Sequence, residues 1–95
     1  MSDVIDKAVE RLAVRLPEGF ETTAKFVIAG EGAIMVDAQG VRAGDEPAAV
    51  TLSADTATFR GMLEGRVNPM TAFMTGKLKV EGPMTLAMKL GKAMA

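Results

Sequence analysis

The sequence predicts an α+β protein, with one antiparallel sheet and helices packed on one of its faces. Two observations carry this. Apolar residues recur at a 3.6-residue period near both ends, over 2–16 and 84–94, while the middle of the chain alternates at a period of two. Glycine, proline, asparagine or serine stands where these patterns switch.

Residues 2–16 read as the first helix. Val4, Ile5, Ala8, Val9, Leu12, Ala13 and Leu16 make one apolar face. Ser2 is suited to cap the start, Asp3 lies where the helix dipole favours an anion, and Pro17 and Gly19 end the helix. A strand follows over 24–29, with Phe26 and Ile28 on one face, then a turn at Gly30-Glu31-Gly32. Its partner covers 33–38, with Ile34 and Val36 together. The segment 39–47 is polar and rich in turn residues, and 49–52 is a third strand carrying Val50 and Leu52. These three strands are expected to form an antiparallel meander.

The pattern then becomes helical again. Ser53 is the expected N-cap of a helix reaching Glu64, with Phe59, Met62 and Leu63 inward and Gly65 at its end. Asn68-Pro69 restarts a short helix with Met70, Phe73 and Met74 on its apolar face. After Gly76, residues 77–81 form a strand with Leu78 and Val80 on one side and lysines on the other. Gly82-Pro83 opens a last helix to Met94, whose apolar arc of Met84, Leu86, Ala87, Met88, Leu90, Ala93 and Met94 is broad.

Composition removes whole classes of chemistry. The 95 residues suffice for one domain, 1–95, and 48% are hydrophobic, as in a globular chain. With no histidine and no cysteine there is no Ser-His or Cys-His nucleophile pair, and the usual ligands of zinc, copper and haem are missing. The remaining carboxylates are scattered, so no catalysis and no cofactor are expected. A net charge of −1 and the lack of Tyr and Trp argue against nucleic acid. No run of apolar residues approaches the length of a membrane span, and no secretory leader or targeting tail is read, so a cytoplasmic protein is expected.

Two excesses remain. There are eight methionines, six of them between Met62 and Met94. Charge is also uneven: residues 1–64 carry six basic and eleven acidic side chains, and residues 65–95 carry five and one. Methionine is flexible and polarizable, which suits either an irregular core or an adaptable binding surface. Both readings stay open on periodicity alone. A dry cavity of about 300 Å3 would cost about 7 kcal/mol, comparable to the whole stability of a small domain. A pocket is therefore expected to be ligand-filled or partly collapsed.

The segment 65–90 reads G-R-V-N-P-M-T-A-F-M-T-G-K-L-K-V-E-G-P-M-T-L-A-M-K-L. In its Gly65 turn, Asn68-Pro69, Ala72-Phe73, the Gly76 to Val80 run, Gly82 and the Leu86 to Leu90 segment, it resembles the sterol carrier protein lipid-binding domain family. The resemblance implies a five-stranded, largely antiparallel sheet covered by helices, with an apolar tunnel between them. It implies non-catalytic binding, with possible transfer, of fatty acid, acyl-CoA, phospholipid or sterol. By position it makes Met70, Phe73 and Met74 tunnel liners, closed by Leu86, Leu90 and Met94, with Phe59, Met62 and Leu63 as further liners. Many relatives carry glutamine at the positions of Met70 and Thr75, so head-group recognition is expected to differ here.

Two other uses of the same features are expected to compete. The basic side chains Arg66, Lys77, Lys79, Lys89 and Lys92 either make weak contact with an anionic membrane surface or form a solvated face. The apolar face of the last helix is alternatively a dimer interface, which would make the chain a structural module and leaves monomer and homodimer both open.

Overall fold

A computed structural model describes residues 3–94. In chain order it has α1 (Asp3–Arg15), β1 (Ala24–Ile28), β2 (Gly32–Asp37), β3 (Gly40–Ala43), β4 (Val50–Ala54), α2 (Thr56–Leu63), α3 (Pro69–Met74), β5 (Lys79–Glu81) and α4 (Met84–Met94). The strands form one sheet in the order β3-β2-β1-β4-β5.

The alternation in the sequence sets which sheet face is buried. In β1, Ala24, Phe26 and Ile28 point inward, level with Val36 and Ile34 of β2 and with Val50, Leu52 and Ala54 of β4. The helices cover this face. Ile5, Ala8, Leu12 and Leu16 join Phe59, Met62, Leu63, Leu90 and Met94 in one core cluster. At its centre the rings of Phe26 and Phe59 meet edge to face, with centroids 5.4 Å apart and planes at 63°. Such a pair adds about 1 kcal/mol beyond the area it buries.

Several expectations are corrected. The strand at β4 does not complete a meander: it pairs in parallel with β1, on the edge opposite β2. The third member of the antiparallel run is β3, inside the segment read as loop. This strand has four residues, none of them buried, so it carries no core-facing alternation to read. Met35, on the outer face, is fully buried against Gly44. Ion pairs Lys25–Asp45 (2.9 Å) and Arg42–Glu46 (3.9 Å) hold that loop over it.

Ser53 is not a cap. β4 continues through it, paired with Lys79, and Asp55 caps α2 by accepting the Thr58 N–H at 2.7 Å. In α1, Ala13 is exposed, and Ser2 lies outside the described residues. The fifth strand starts at Lys79 rather than at residue 77, because the Lys77 and Leu78 N–H groups both donate to the Ala72 carbonyl. Other boundaries agree: Gly65 follows α2 with φ 77°, Asn68 caps α3, and α4 ends at Met94. Among the described residues, no helix is long and apolar enough to cross a membrane.

Candidate functional site

An apolar cleft of about 250 Å3 lies between the β4–β5 end of the sheet and helices α3 and α4. Its floor is Leu52, Leu78 and Val80. Pro69, Met70 and Phe73 of α3 form one wall, and Met84, Ala87, Met88 and Gly91 of α4 form the other. The cleft opens to solvent, since Met70, Phe73, Met84 and Met88 are all between 37% and 44% exposed. Among the described residues its polar side chains are Asn68 and Lys92.

Local chemistry places these walls. Asn68 adopts an extended backbone, and its Oδ1 accepts the N–H groups of Met70 (2.8 Å) and Thr71 (3.3 Å). Pro69 fits the first helical position because it has no N–H to leave unpaired. The helix is only six residues long, and Ala72 is its buried residue. Consequently the large apolar side chains read as its inner face stand at the cleft or in solvent. On α4, the 3.6-residue period separates two faces: Leu90 and Met94 enter the core, while Met84, Ala87, Met88 and Gly91 face the cleft.

The residues indicated by the family resemblance fall in three places. Met70 and Phe73 line the cleft, and Met74 stands beside them, 77% exposed. Leu90, Met94 and Met62 are buried in the core, with Leu86 partly buried against it. Phe59 and Leu63 are buried and border a second cleft between α1 and α2. Sequence reasoning did not single out Leu52, Leu78, Val80, Met84, Ala87, Met88, Gly91 or Lys92 as liners. The available signal was the run Met84, Ala87, Met88, Gly91, which marks a face of small and flexible side chains opposite the leucines of α4.

The second cleft is larger, about 310 Å3, but Lys7, Arg11, Arg60 and Glu64 share its walls. Arg11 and Glu64 pair across it at 3.7 Å. An apolar group entering it would have to displace the water around these ions, so of the two clefts the one between α3 and α4 suits an apolar group better. The hydroxyl of Thr75 donates back to the Thr71 carbonyl at 2.9 Å and so spends its proton within α3.

Three carboxyls are held below their ordinary range. Asp37 is lowered by the Gln39 N–H and by Arg42, Asp55 by the Thr58 N–H, and Glu64 by Arg66. All three stabilise turns or helix ends away from the apolar cleft. Among the described residues no cluster of three or more Asp, Glu, His or Cys could hold a metal ion.

The fold and the cleft thus define a small α+β domain with an apolar cleft between sheet and helices. The chain belongs to the SCP-2 sterol transfer family, whose sequence profile it matches over residues 3–95. It is 41% identical over 90 residues to hydroxysteroid dehydrogenase-like protein 2 of Danio rerio, covering 83% of this chain and 22% of that protein. It is 44% identical over 46 residues to human sterol carrier protein 2, covering 48% of this chain and 8% of that protein. The chain therefore spans a small part of these relatives. Among solved structures, its fold resembles that of Aedes aegypti sterol carrier protein 2 in complex with the C16 fatty acid palmitate, with a TM-score of 0.80, 22% identity, and coverage of 100% and 97% of the two chains. Sterol carrier protein 2 of Yarrowia lipolytica in its apo form gives a TM-score of 0.69 at 22% identity, covering 97% and 84%. These two likenesses establish the fold.

Proposed function

We propose that residues 1–95 form one non-catalytic domain that binds, and passes on, a lipid-like molecule in the apolar cleft. The candidates are fatty acid, acyl-CoA, phospholipid or sterol. The observation that carries this reading is the cleft itself: apolar on its floor and both walls, open at the surface, and edged by methionines that can repack. Family membership and the palmitate bound by the Aedes aegypti protein support it.

At about 0.8 kcal/mol per buried methylene, ten buried methylenes supply about 8 kcal/mol, which corresponds to micromolar affinity. The cleft volume lies near the lower limit of ligand sites, so loading widens it. Met70 and Phe73 are the first side chains to move, and Met74, Leu86, Leu90, Met94, Phe59, Met62 and Leu63 become contacts as the alkyl chain reaches inward. The ligand is taken from a membrane surface: exposed Met74 stands beside the cleft, and residues 65–95 carry five basic and one acidic side chain. A homodimer through α4 is not favoured, because Leu90 and Met94 are already buried in the core.

Titration with dodecanoic acid tests the proposal. Wild-type protein binds it, and Phe73→Asp loses at least tenfold in affinity while keeping its circular dichroism spectrum. Absence of binding by the folded wild type sinks the reading.

A further inference from the structure

We infer that Lys92 and Asn68 form the polar end of the cleft and make it selective for an acyl ligand with an anionic head, carboxylate or phosphate. This rests on the lipid-binding reading and adds the chemistry of the head group.

Three observations converge. Gly91 of α4 touches Pro69 of α3, with Pro69 Cβ 3.3 Å from where a Gly91 side chain would begin. Asn68 and Lys92 are the chain neighbours of these two residues, and both line the cleft. The two polar side chains therefore stand at one end of it, where α3 begins and α4 finishes, while the floor toward Leu78 and Val80 is apolar.

Both groups are donors. The Asn68 carbonyl oxygen is occupied by two backbone N–H groups of α3, which leaves its amide N–H atoms to serve a ligand. Among the described residues Lys92 makes no ion pair or hydrogen bond, in contrast to Lys89, which lies 3.3 Å from Glu21. Among the described residues no carboxylate lines the cleft. A head group that can only accept hydrogen bonds satisfies both donors at once. A neutral hydroxyl head has a proton of its own to place and gains no charge attraction.

The cation also complements the carbonyl end of α4, a purely structural role that ligand selectivity separates from head-group recognition. Dodecanoic acid and dodecan-1-ol share a chain length and differ in head group. Their affinities are measured at about pH 8, where the carboxylate is ionised, on wild type, Lys92→Met, Lys92→Arg and Asn68→Asp. Asp caps a helix as well as Asn does, so the last variant keeps α3 in place.

The expected result is a loss of about five- to tenfold in acid affinity in Lys92→Met, with the acid-to-alcohol ratio falling by the same factor. Lys92→Arg retains the wild-type ratio, Asn68→Asp lowers it, and about 0.5 M salt reduces the wild-type preference. Equal losses for acid and alcohol in Lys92→Met, or no change for either, overturn the head-group assignment and leave the lipid site standing. Failure of wild type to bind both probes overturns the lipid site and the assignment together.

Discussion

Gly91 of α4 lies so close to Pro69 of α3 that a methyl group on Gly91 would sit 3.3 Å from Pro69 Cβ and 3.5 Å from Pro69 Cγ. Both residues line the cleft, so this contact brings its two helical walls together. Gly91→Leu is expected to fill the cleft and push α3 outward. Overpacking costs about 2 kcal/mol, of which better helix propensity returns about 1. A net loss of about 1 kcal/mol by urea denaturation is expected, with at least a tenfold loss of dodecanoate affinity by titration. Unchanged affinity would show that the ligand does not lie between α3 and α4.

The Phe26–Phe59 pair joins β1 to α2 and is independent of the cleft. Phe59→Ala is expected to cost about 4 kcal/mol, through lost burial and the cavity left behind. The Phe26→Leu, Phe59→Leu double-mutant cycle should return a coupling energy of about 1 kcal/mol. A coupling near zero would assign the stabilisation to burial alone.

Two glycines separate backbone strain from collision. Gly65 has φ 77° with open space around it, so Gly65→Ala costs about 1 kcal/mol for the left-handed backbone. Gly82 has φ 109°, and its Cβ would collide with the Ala49 carbonyl oxygen. Gly82→Ala therefore loses at least about 3 kcal/mol, because β4 must shift or the β5–α4 turn must open. Equal effects in thermal melts would contradict this.

Acid lowers stability in a definite window. Asp37, Asp55 and Glu64 have folded-state pKa values below their unfolded ones. Their contribution is full above the ordinary carboxylate range of about 4 and is lost as pH falls through the folded values. The effect is modest because all three are solvent-accessible. Asp55→Asn keeps a capping oxygen but does not titrate, so its melting temperature should fall less between about pH 5 and pH 2 than that of wild type. A parallel decline in both proteins would remove Asp55 from the acid response.

Contact with membranes is expected to be electrostatic and apolar at once. Wild type should sediment with phosphatidylglycerol vesicles at low salt and be released at about 0.5 M salt. Met74→Asp, on a side chain 77% exposed, should weaken sedimentation without altering the fold. Salt-independent binding, or none to anionic vesicles, would count against loading from a membrane.

The candidate site was only partly legible. Met70 and Phe73 were implied by their place in the 65–90 motif, and both line the cleft. The same motif implied Leu86, Leu90 and Met94 on α4, whereas the cleft is lined from α4 by Met84, Ala87, Met88, Gly91 and Lys92. In the folded chain Leu90 and Met94 are taken into the core, and the cleft receives what remains on the next helical face, including Gly91 and Lys92. A glycine and a lysine carry no apolar signal, and their role depends on Pro69 arriving opposite them.

What the sequence determined by itself is what short-range physics controls. The helix period of α1 and α4, the alternation in β1 and β2, the Asn68 cap and the left-handed turn at Gly65 all depend on residues within a few positions of one another. The family resemblance in residues 65–90 rests on the same local punctuation. Tertiary structure alone decided that β4 takes the free edge of β1 in parallel, that a four-residue strand forms at Gly40–Ala43, and which face of α4 meets the cleft. Those outcomes depend on which distant edge remains unpaired and which apolar faces the core has already consumed. No local period in the chain encodes either quantity.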